Sequence, residues 1–193
     1  MKSVFAAAMV AAALVAGCAP TSQDVGPPIA SADPMSPLSA PGYMSMAASS
    51  DMFEIESSRI ALQRSQNPAV RNFAQMMIDH HTRTTSDLMA TAQRANHLPP
   101  PPPTMLPPQR DALERVRAAG PDFDSTYKRE QIMGHQMALD LHRNYAAQGD
   151  LPPFRELASR TVPIIEEHLG RAQSLPEYAP PPPATPMRAG ERG

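Results

Sequence analysis

The sequence predicts an all-α protein in which four long helices form a bundle. Four segments repeat apolar residues every three to four positions, and no segment alternates apolar and polar residues as a strand would. A short turn joins the first two helices, a short turn joins the last two, and a long proline-rich segment separates the pairs. This connectivity is that of ferritin-like four-helix bundles with one long crossover, which is therefore the expected fold.

Composition sets limits on the function. The chain has 193 residues, 41% of them hydrophobic and 5% aromatic, with no Trp, which suits a core of Ala, Leu, Ile and Met. The net charge of −2 supplies no basic field, so we expect no nucleic-acid partner. No nucleophile-elbow motif and no Gly-rich phosphate loop are present, so no catalytic residue is predicted and enzymatic activity is left open.

The N-terminus has the pattern of a targeting segment. Lys2 precedes an apolar run over residues 4–15, which is shorter than the about 20 residues that a membrane-spanning helix needs. The small residues before Cys18 resemble a bacterial lipobox, which implies cleavage before Cys18 and lipidation of this residue. An ordinary signal peptide with a chance cysteine is the alternative.

Cys18 is the single cysteine of the chain, so a mature protein that begins there has no thiol for a disulfide. Ala19 follows it, whereas an Asp there would resemble an inner-membrane retention signal. The expected location is the periplasmic side of the outer membrane, with the membrane itself as partner through the lipid anchor; the sequence does not identify any protein partner.

Four regions follow along the chain. We assign residues 1–17 to the signal peptide, 18–43 to a linker rich in Pro, Ser and Ala, 44–175 to the bundle and 176–193 to a proline-rich tail. The linker and the tail cannot bury a core, so the linker is expected to be extended and the tail disordered.

The first two long helices are predicted over residues 45–66 and 68–96. Glu54 lies at the centre of a broad face of the first helix, flanked by small residues that leave room beside it. Asn67 and Pro68 can cap and open the second helix. His81 projects at the centre of its apolar face, while His80 falls about 80° to the side.

The crossover begins with five consecutive prolines at residues 99–103, which favour a stiff polyproline II segment, and continues in a short helix over residues 109–118. The last two long helices are predicted over residues 123–148 and 152–175. His135 lies on the flank of the apolar stripe of the former, and His168 lies near the centre of the core face of the latter.

Four polar residues should meet at mid-height of the bundle. Glu54 and His81 each lie about 20 Å from their shared turn, and His135 and His168 lie about 20–24 Å from theirs. Three imidazoles and one carboxylate suit Zn, Fe, Mn or Cu. The alternative is a metal-free core in which Glu54 accepts hydrogen bonds from the imidazoles.

The remaining histidines and the methionines are expected to have structural roles. His80, His97 and His142 should face solvent or helix edges, outside the cluster. The thirteen Met residues include four at helical spacing that should fill the core rather than form a soft copper-binding surface, namely Met76, Met77, Met133 and Met137.

Short motifs spread over about residues 45–175 form a distinctive set, namely Glu54-Ile55-Glu56, Ala61-Leu62, Asn67-Pro68-x-Val70, Phe73-Ala74, Met77, His81, Phe123-Asp124, Tyr127, His135, Pro163 and His168. Together these motifs resemble domain-of-unknown-function family 4142. The resemblance implies an exported, ferritin-like protein of unestablished activity, with recurring polar positions at Glu54, His81, His135 and His168. Family members usually have Asp-His where this chain has His80-His81.

Dinuclear iron chemistry is not expected. Di-iron bundles use Glu-x-x-His on two helices, but Ile78 and Ile165 occupy the positions three before His81 and His168. The leading hypothesis is therefore a lipid-anchored envelope protein that binds a single metal ion through Glu54, His81, His135 and His168. The alternative hypothesis is a metal-free structural or interaction module with a buried Glu/His network.

Overall fold

The structure, a computed structural model, describes residues 33–95 and 98–176. It contains α1 (Ala40–Arg64), α2 (Pro68–Arg94), α3 (Pro107–Ala118), α4 (Phe123–Gln148) and α5 (Pro152–Gln173). Within these ranges there is no strand, and the four long helices pack as a bundle. The predicted all-α, ferritin-like fold is confirmed, including the short helix in the crossover.

The side-chain contacts between α1 and α4 give the helix directions. Tyr43 Oη near the start of α1 lies 3.0 Å from His142 Nδ1 near the end of α4. Ser58 Oγ near the end of α1 lies 2.8 Å from Tyr127 Oη near the start of α4. The two helices are therefore antiparallel, and α2 and α4 run in the same direction. The crossover must travel the length of the bundle, as ferritin-like connectivity requires.

Helix α3 is held in the groove beside α1 and α4 by polar contacts at both ends. Ser49 Oγ on α1 accepts from Leu106 N at 2.8 Å. Arg64 at the end of α1 donates to backbone carbonyls at the end of α3 and lies over the Phe123 ring at 4.4 Å. These contacts bring the chain back to the level at which α4 begins.

Helix α1 begins five residues earlier than the sequence predicts, inside the expected linker. Ser39 caps it by accepting from Gly42 N at 3.1 Å, and Pro41 lies in the first turn, where its missing N–H is harmless. Tyr43 and Met44 are buried. The prolines that suggested a linker instead open this helix. The bounds of α4 match the prediction, and α2 and α5 end two residues early.

Two apolar clusters fill the two ends of the bundle. One cluster contains Tyr43, Tyr145 and Phe154, and the other contains Phe73 and Tyr127. On α2, α4 and α5 the predicted histidine lies between the members of the two clusters, and on α1 Glu54 directly follows Phe53, a member of the second cluster. The bundle therefore has a polar layer at mid-height, as the depths of these residues along their helices predict.

Two of the four methionines assigned to the core are exposed. Met77 is fully buried, but Met133 and Met137 are 45% and 51% exposed. They lie on the same side of α4, along a groove beside α3 that this short helix does not cover. The prediction that they fill the core is therefore wrong.

Several predictions concern parts of the chain that lie outside the described residues. They are the signal peptide, Cys18, most of the linker, His97 and the tail after residue 176. Among the helices that are described, none has the length and hydropathy required to cross a membrane.

Candidate metal centre

Three histidines from three helices converge at mid-height of the bundle. His81 comes from α2, His135 from α4 and His168 from α5, and all are buried. Their ring centroids are 5.7 Å apart for His81 and His135, 5.3 Å for His81 and His168, and 5.4 Å for His135 and His168. Each offers a ring nitrogen within 4.8 Å of those of the other two. This nearly equilateral arrangement can hold a metal ion.

His81 is oriented by a carboxylate from the neighbouring helix. Its Nδ1 donates to Asp51 Oδ1 on α1 at 2.8 Å. Asp51 also accepts from the hydroxyls of Thr84 at 2.9 Å and Thr85 at 2.8 Å, one turn beyond His81. A carboxylate bound to the far nitrogen of an imidazole fixes its tautomer and makes it a stronger metal ligand. The Nε2 atom of His81 is left facing the other histidines.

His135 is oriented by its own helix. Its Nδ1 donates to the Gln131 carbonyl one turn earlier at 2.7 Å. This bond places the proton on Nδ1 and leaves Nε2 as the unprotonated nitrogen of the neutral ring.

His168 is oriented by His80, which the sequence placed outside the cluster. His80 is half-buried, and its Nδ1 lies 2.8 Å from His168 Nε2. His80 lies outside the three converging histidines, as predicted, but its side chain reaches from the helix edge to α5, a contact that the helical angle alone does not reveal. The Nδ1 atom of His168 remains available to the centre.

The inward nitrogens of the three rings lack partners. Among the described residues, none hydrogen-bonds to Nε2 of His81, Nε2 of His135 or Nδ1 of His168, although all three atoms are buried. Buried polar atoms in folded proteins are nearly always paired, so three unpaired nitrogens that converge require an explanation. A shared metal ion would satisfy all three together.

Glu54 lies beside His135 rather than within this set of three. Its Oε1 is 3.6 Å from His135 Nδ1, the nitrogen already bonded to Gln131. Neither carboxyl oxygen has a hydrogen-bond partner in the described part of the chain. Gly134 on α4 leaves room for it, since a Cβ there would lie 2.9 Å from Oε1. Burial of Glu54 agrees with its predicted place on the inner face of α1.

Burial and the charge of neighbouring groups keep His135 and His168 neutral. Burial, followed by the charge of His81, lowers the pKa of His135 to about 3, and burial with the neighbouring histidines lowers the pKa of His168 to about 2. Burial also acts on His81, but its hydrogen bond to Asp51 and the charge of that carboxylate raise its pKa. Burial raises the pKa of Glu54 to about 7, against the opposing effect of His81. Neutral imidazole is the form that binds metals.

The donor set fits a first-row transition metal that accepts imidazole. Three histidine nitrogens with an open further position are found at zinc and copper sites, whereas harder ions prefer oxygen donors. The two nearby carboxylates, Asp51 beside His81 and Glu54 beside His135, lie at the Nδ1 atoms of these rings and do not join the group of three histidines. The geometry therefore favours a three-histidine centre over the predicted set of four ligands.

Asp51 is the residue that sequence reasoning missed. It lies three positions before Glu54, so the two share a face of α1 at helical spacing. That spacing is the signal that could have identified it. Its partner lies on another helix, and the sequence does not show the contact.

His142 is buried at 8% exposure, which corrects the prediction that it faces solvent or a helix edge. Its Nδ1 lies 3.0 Å from Tyr43 Oη, whose hydroxyl can donate because burial raises the pKa of Tyr43. Burial lowers the pKa of His142 to about 4 from the ordinary value of 6.5. The folded protein therefore favours the neutral form of His142.

His142 should make the metal-free protein acid-sensitive. The unfolded chain takes up a proton at this residue below pH 6.5, whereas the folded protein does not until pH falls to about 4. Stability from this group is present above pH 6.5 and is lost on acidification. Between pH 8 and 5, chemical denaturation should show that wild type loses about 2 kcal/mol more than His142→Gln. Parallel loss in the two proteins would contradict the prediction.

Comparison with known proteins places the chain in a family and identifies similar structures. No curated protein sequence matches it. Solved structures of CopM are similar: the Cu(II)-bound form has a TM-score of 0.60 at 18% identity and the Cu(I)-bound form has 0.57 at 18% identity. The Ag-bound form obtained by co-crystallization has 0.58 at 19% identity. Each match covers 70% of this chain and 93% of the CopM chain, and at these identities it establishes the shared fold.

The family comparison covers the bundle and the segment before it. The model described as Domain of unknown function (DUF4142) matches residues 25–175, which is most of the chain. The match includes all four long helices and every residue of the centre. The chain therefore belongs to the DUF4142 family.

Proposed function

We propose that this protein binds one copper ion through His81, His135 and His168. The observation that carries the proposal is the convergence of three buried histidines, each of which has one ring nitrogen without a hydrogen-bond partner among the described residues. The other nitrogen of each ring is held by Asp51, the Gln131 carbonyl or His80, so each ring is already aimed at the centre. Such preorganisation lowers the entropy lost when an ion binds.

Copper is favoured over the other metals that the sequence suggested. Imidazole suits copper and zinc, while Fe and Mn centres in bundles draw on carboxylates, and Glu54 is set apart from the three nitrogens. Structures of similar fold have been solved for CopM with Cu(II), Cu(I) and Ag bound. Copper also leads zinc in intrinsic affinity for nitrogen donors.

The metal-free network is the weaker alternative. A structural network requires its buried groups to pair with one another, because an unpaired buried polar group costs about 1–3 kcal/mol. Here both oxygens of Glu54 and one nitrogen of each of the three histidines are unpaired within the described residues. The set therefore makes a poor structural network and a suitable binding site.

Metal titration of protein purified without a histidine tag tests the proposal. We expect one equivalent of copper to bind, as Cu(I) under anaerobic conditions, and to raise the melting temperature because the ion binds only the folded state. Zinc, Fe and Mn added in parallel should bind more weakly. Well under one equivalent of bound copper after reconstitution would reject the function.

The exposed methionines provide the necessary control. Thioethers are soft ligands that could hold Cu(I) at the surface, and Met133 and Met137 are one helical turn apart and exposed. The double variant Met133→Leu, Met137→Leu should retain its full equivalent of copper. Loss of copper from this double variant would show that copper binds in the groove beside α3 and not at the histidines.

We further propose that the protein acts at the periplasmic side of the outer membrane, anchored by a lipid on Cys18. Support comes from the short apolar run, the small residues before the only cysteine and the absence of Asp after it. One acyl chain alone holds a protein weakly, so stable anchoring needs more than one chain. The residues between Cys18 and α1 then separate the copper-binding bundle from the membrane.

The substitution Cys18→Ser should release the protein from the membrane. Without the thiol no lipid can be attached, and none of the described helices can span a bilayer. Fractionation of cells that express wild type and variant should show the variant in the soluble fraction or retained as uncleaved precursor. A processed variant that sediments as tightly with membranes as wild type would contradict lipidation.

A further inference from the structure

A small, partly open chamber adjoins the three-histidine centre. It has a volume of about 30 Å³, which is room for about two water-sized molecules. Two of the three centre histidines, His81 and His168, form part of its wall. Both carry a buried ring nitrogen that has no partner in the described residues. An ion held by these nitrogens would have the chamber on one side.

The rest of the wall is formed by apolar and polar side chains in equal number, among them the Asp51 carboxylate. Ala138, Leu157 and Ile165 line it, and the 39% exposed Ile164 marks the side nearest solvent. No Lys or Arg is among its lining residues, all of which belong to the described part of the chain. The chamber therefore offers no cationic side chain to compensate a buried anion.

The hydrogen-bonding groups on this wall are largely used already. Tyr43 Oη pairs with His142 Nδ1 at 3.0 Å. Thr161 Oγ1 donates to the Leu157 carbonyl at 2.9 Å, and the Thr84 hydroxyl is bonded to Asp51. The Asp51 carboxylate is already bonded to His81 and to two threonine hydroxyls, and its negative charge disfavours an anionic guest. A hydrated or charged guest would therefore find few free partners, whereas a small neutral molecule needs none.

We propose that the chamber is a binding pocket for a small, uncharged ligand of diatomic size that completes the coordination of the ion. The proposal rests on the proposed function and adds the class of ligand that the centre accepts. The three histidines leave a further position on the ion, and the chamber's size and walls select what can occupy it.

Carbon monoxide binding to the Cu(I)-loaded protein tests the pocket. Copper content is measured first by elemental analysis, and CO is then titrated while its infrared stretching band is followed. We expect one CO per bound copper and a single band, because the pocket surrounds one site. A protein that holds one copper but binds no CO would overturn the pocket and leave the proposed function intact.

A matched pair of variants locates the ligand. Leu157→Phe fills the chamber, while Leu139→Phe makes the same change at a residue of similar burial that does not line it. Leu157→Phe should keep its copper and lose at least about tenfold in CO affinity. Leu139→Phe should bind CO as wild type does.

A smaller substitution in the chamber keeps the experiment decisive if Leu157→Phe does not fold. Ala138→Val also reduces the chamber, and circular dichroism melting establishes that each variant is folded before CO is added. If Leu157→Phe is unfolded, Ala138→Val should show the weakened CO binding instead. Equal CO affinity in wild type and every folded chamber variant would overturn the proposal. A wild-type protein that takes up no copper would overturn it together with the proposed function, and the copper content identifies that case.

Discussion

The substitution His81→Ala is expected to lower copper affinity by well over 100-fold. It removes one of the three converging histidines and takes from Asp51 the ring N–H donor at 2.8 Å. Loss of a group that only supports a ligand typically lowers metal affinity 10–100-fold, so loss of the ligand itself should exceed that range. Competition with a Cu(I) chelator measures the affinity directly.

His142→Ala is the matched control for this result. His142 is another buried histidine, but its Nδ1 pairs with Tyr43 and it is not one of the three converging residues. It should be destabilised without losing copper. Equal loss of copper affinity in His81→Ala and His142→Ala would contradict the role of His81 as a ligand, because the loss would then follow from general damage to the core.

Glu54→Gln is expected to stabilise the metal-free protein at pH 8. Burial raises the pKa of Glu54 to about 7 from its ordinary 4.5, so the folded state favours the protonated carboxyl. The contribution of Glu54 to the free energy of unfolding is therefore fully present below pH 4.5 and is lost as the pH rises through about 7. At pH 8 the isosteric neutral amide avoids this loss, worth about 3 kcal/mol or roughly 6–12 °C in melting temperature.

Thermal unfolding at pH 8 and pH 4.5 tests whether Glu54→Gln raises the melting temperature. The gain should be large at the higher pH and nearly absent at the lower, where Glu54 is already neutral. Glu56→Gln provides the control, because Glu56 lies on the same helix and its side chain is 40% exposed. A Glu54→Gln protein that is less stable than wild type at pH 8 would show that the carboxylate has a stabilising partner.

The same variant decides the role of Glu54 in the centre. The sequence suggested that Glu54 is a ligand, while its position behind His135 indicates a neighbour of the ligand set. As a neighbour, Glu54→Gln should weaken copper binding far less than His81→Ala. Equal losses of copper affinity in Glu54→Gln and His81→Ala would instead support Glu54 as a fourth ligand.

The fold could be predicted closely because its determinants are local. The helical spacing of apolar residues, the Asn67-Pro68 turn and the Gly120-Pro121 break specify where helices start and stop. The exception was the start of α1, where Ser39 and Pro41 were read as linker composition although they also form a good helix start. Proline favours both contexts, and only the burial of Tyr43 decides between them.

The common depth of the site residues could also be predicted, because the rise per residue of a helix is constant. His81, His135 and His168 do meet at mid-height. Their partners could not be predicted, because Asp51 and His80 are related to them only across helix interfaces. The exposure of Met133 and Met137 has the same origin, since it depends on where α3 lies.

The sequence by itself therefore determined the helices, the long crossover between them, the inward facing of Glu54 and the level at which three histidines meet. Only the tertiary structure decided that Glu54 lies behind His135, that Asp51 and His80 support the ring nitrogens, and that a small chamber adjoins the centre. The physical reason is the range of the interactions. Helical periodicity acts over a few residues of one chain segment, whereas side-chain hydrogen bonds and cavities depend on how neighbouring helices are rotated and spaced against each other.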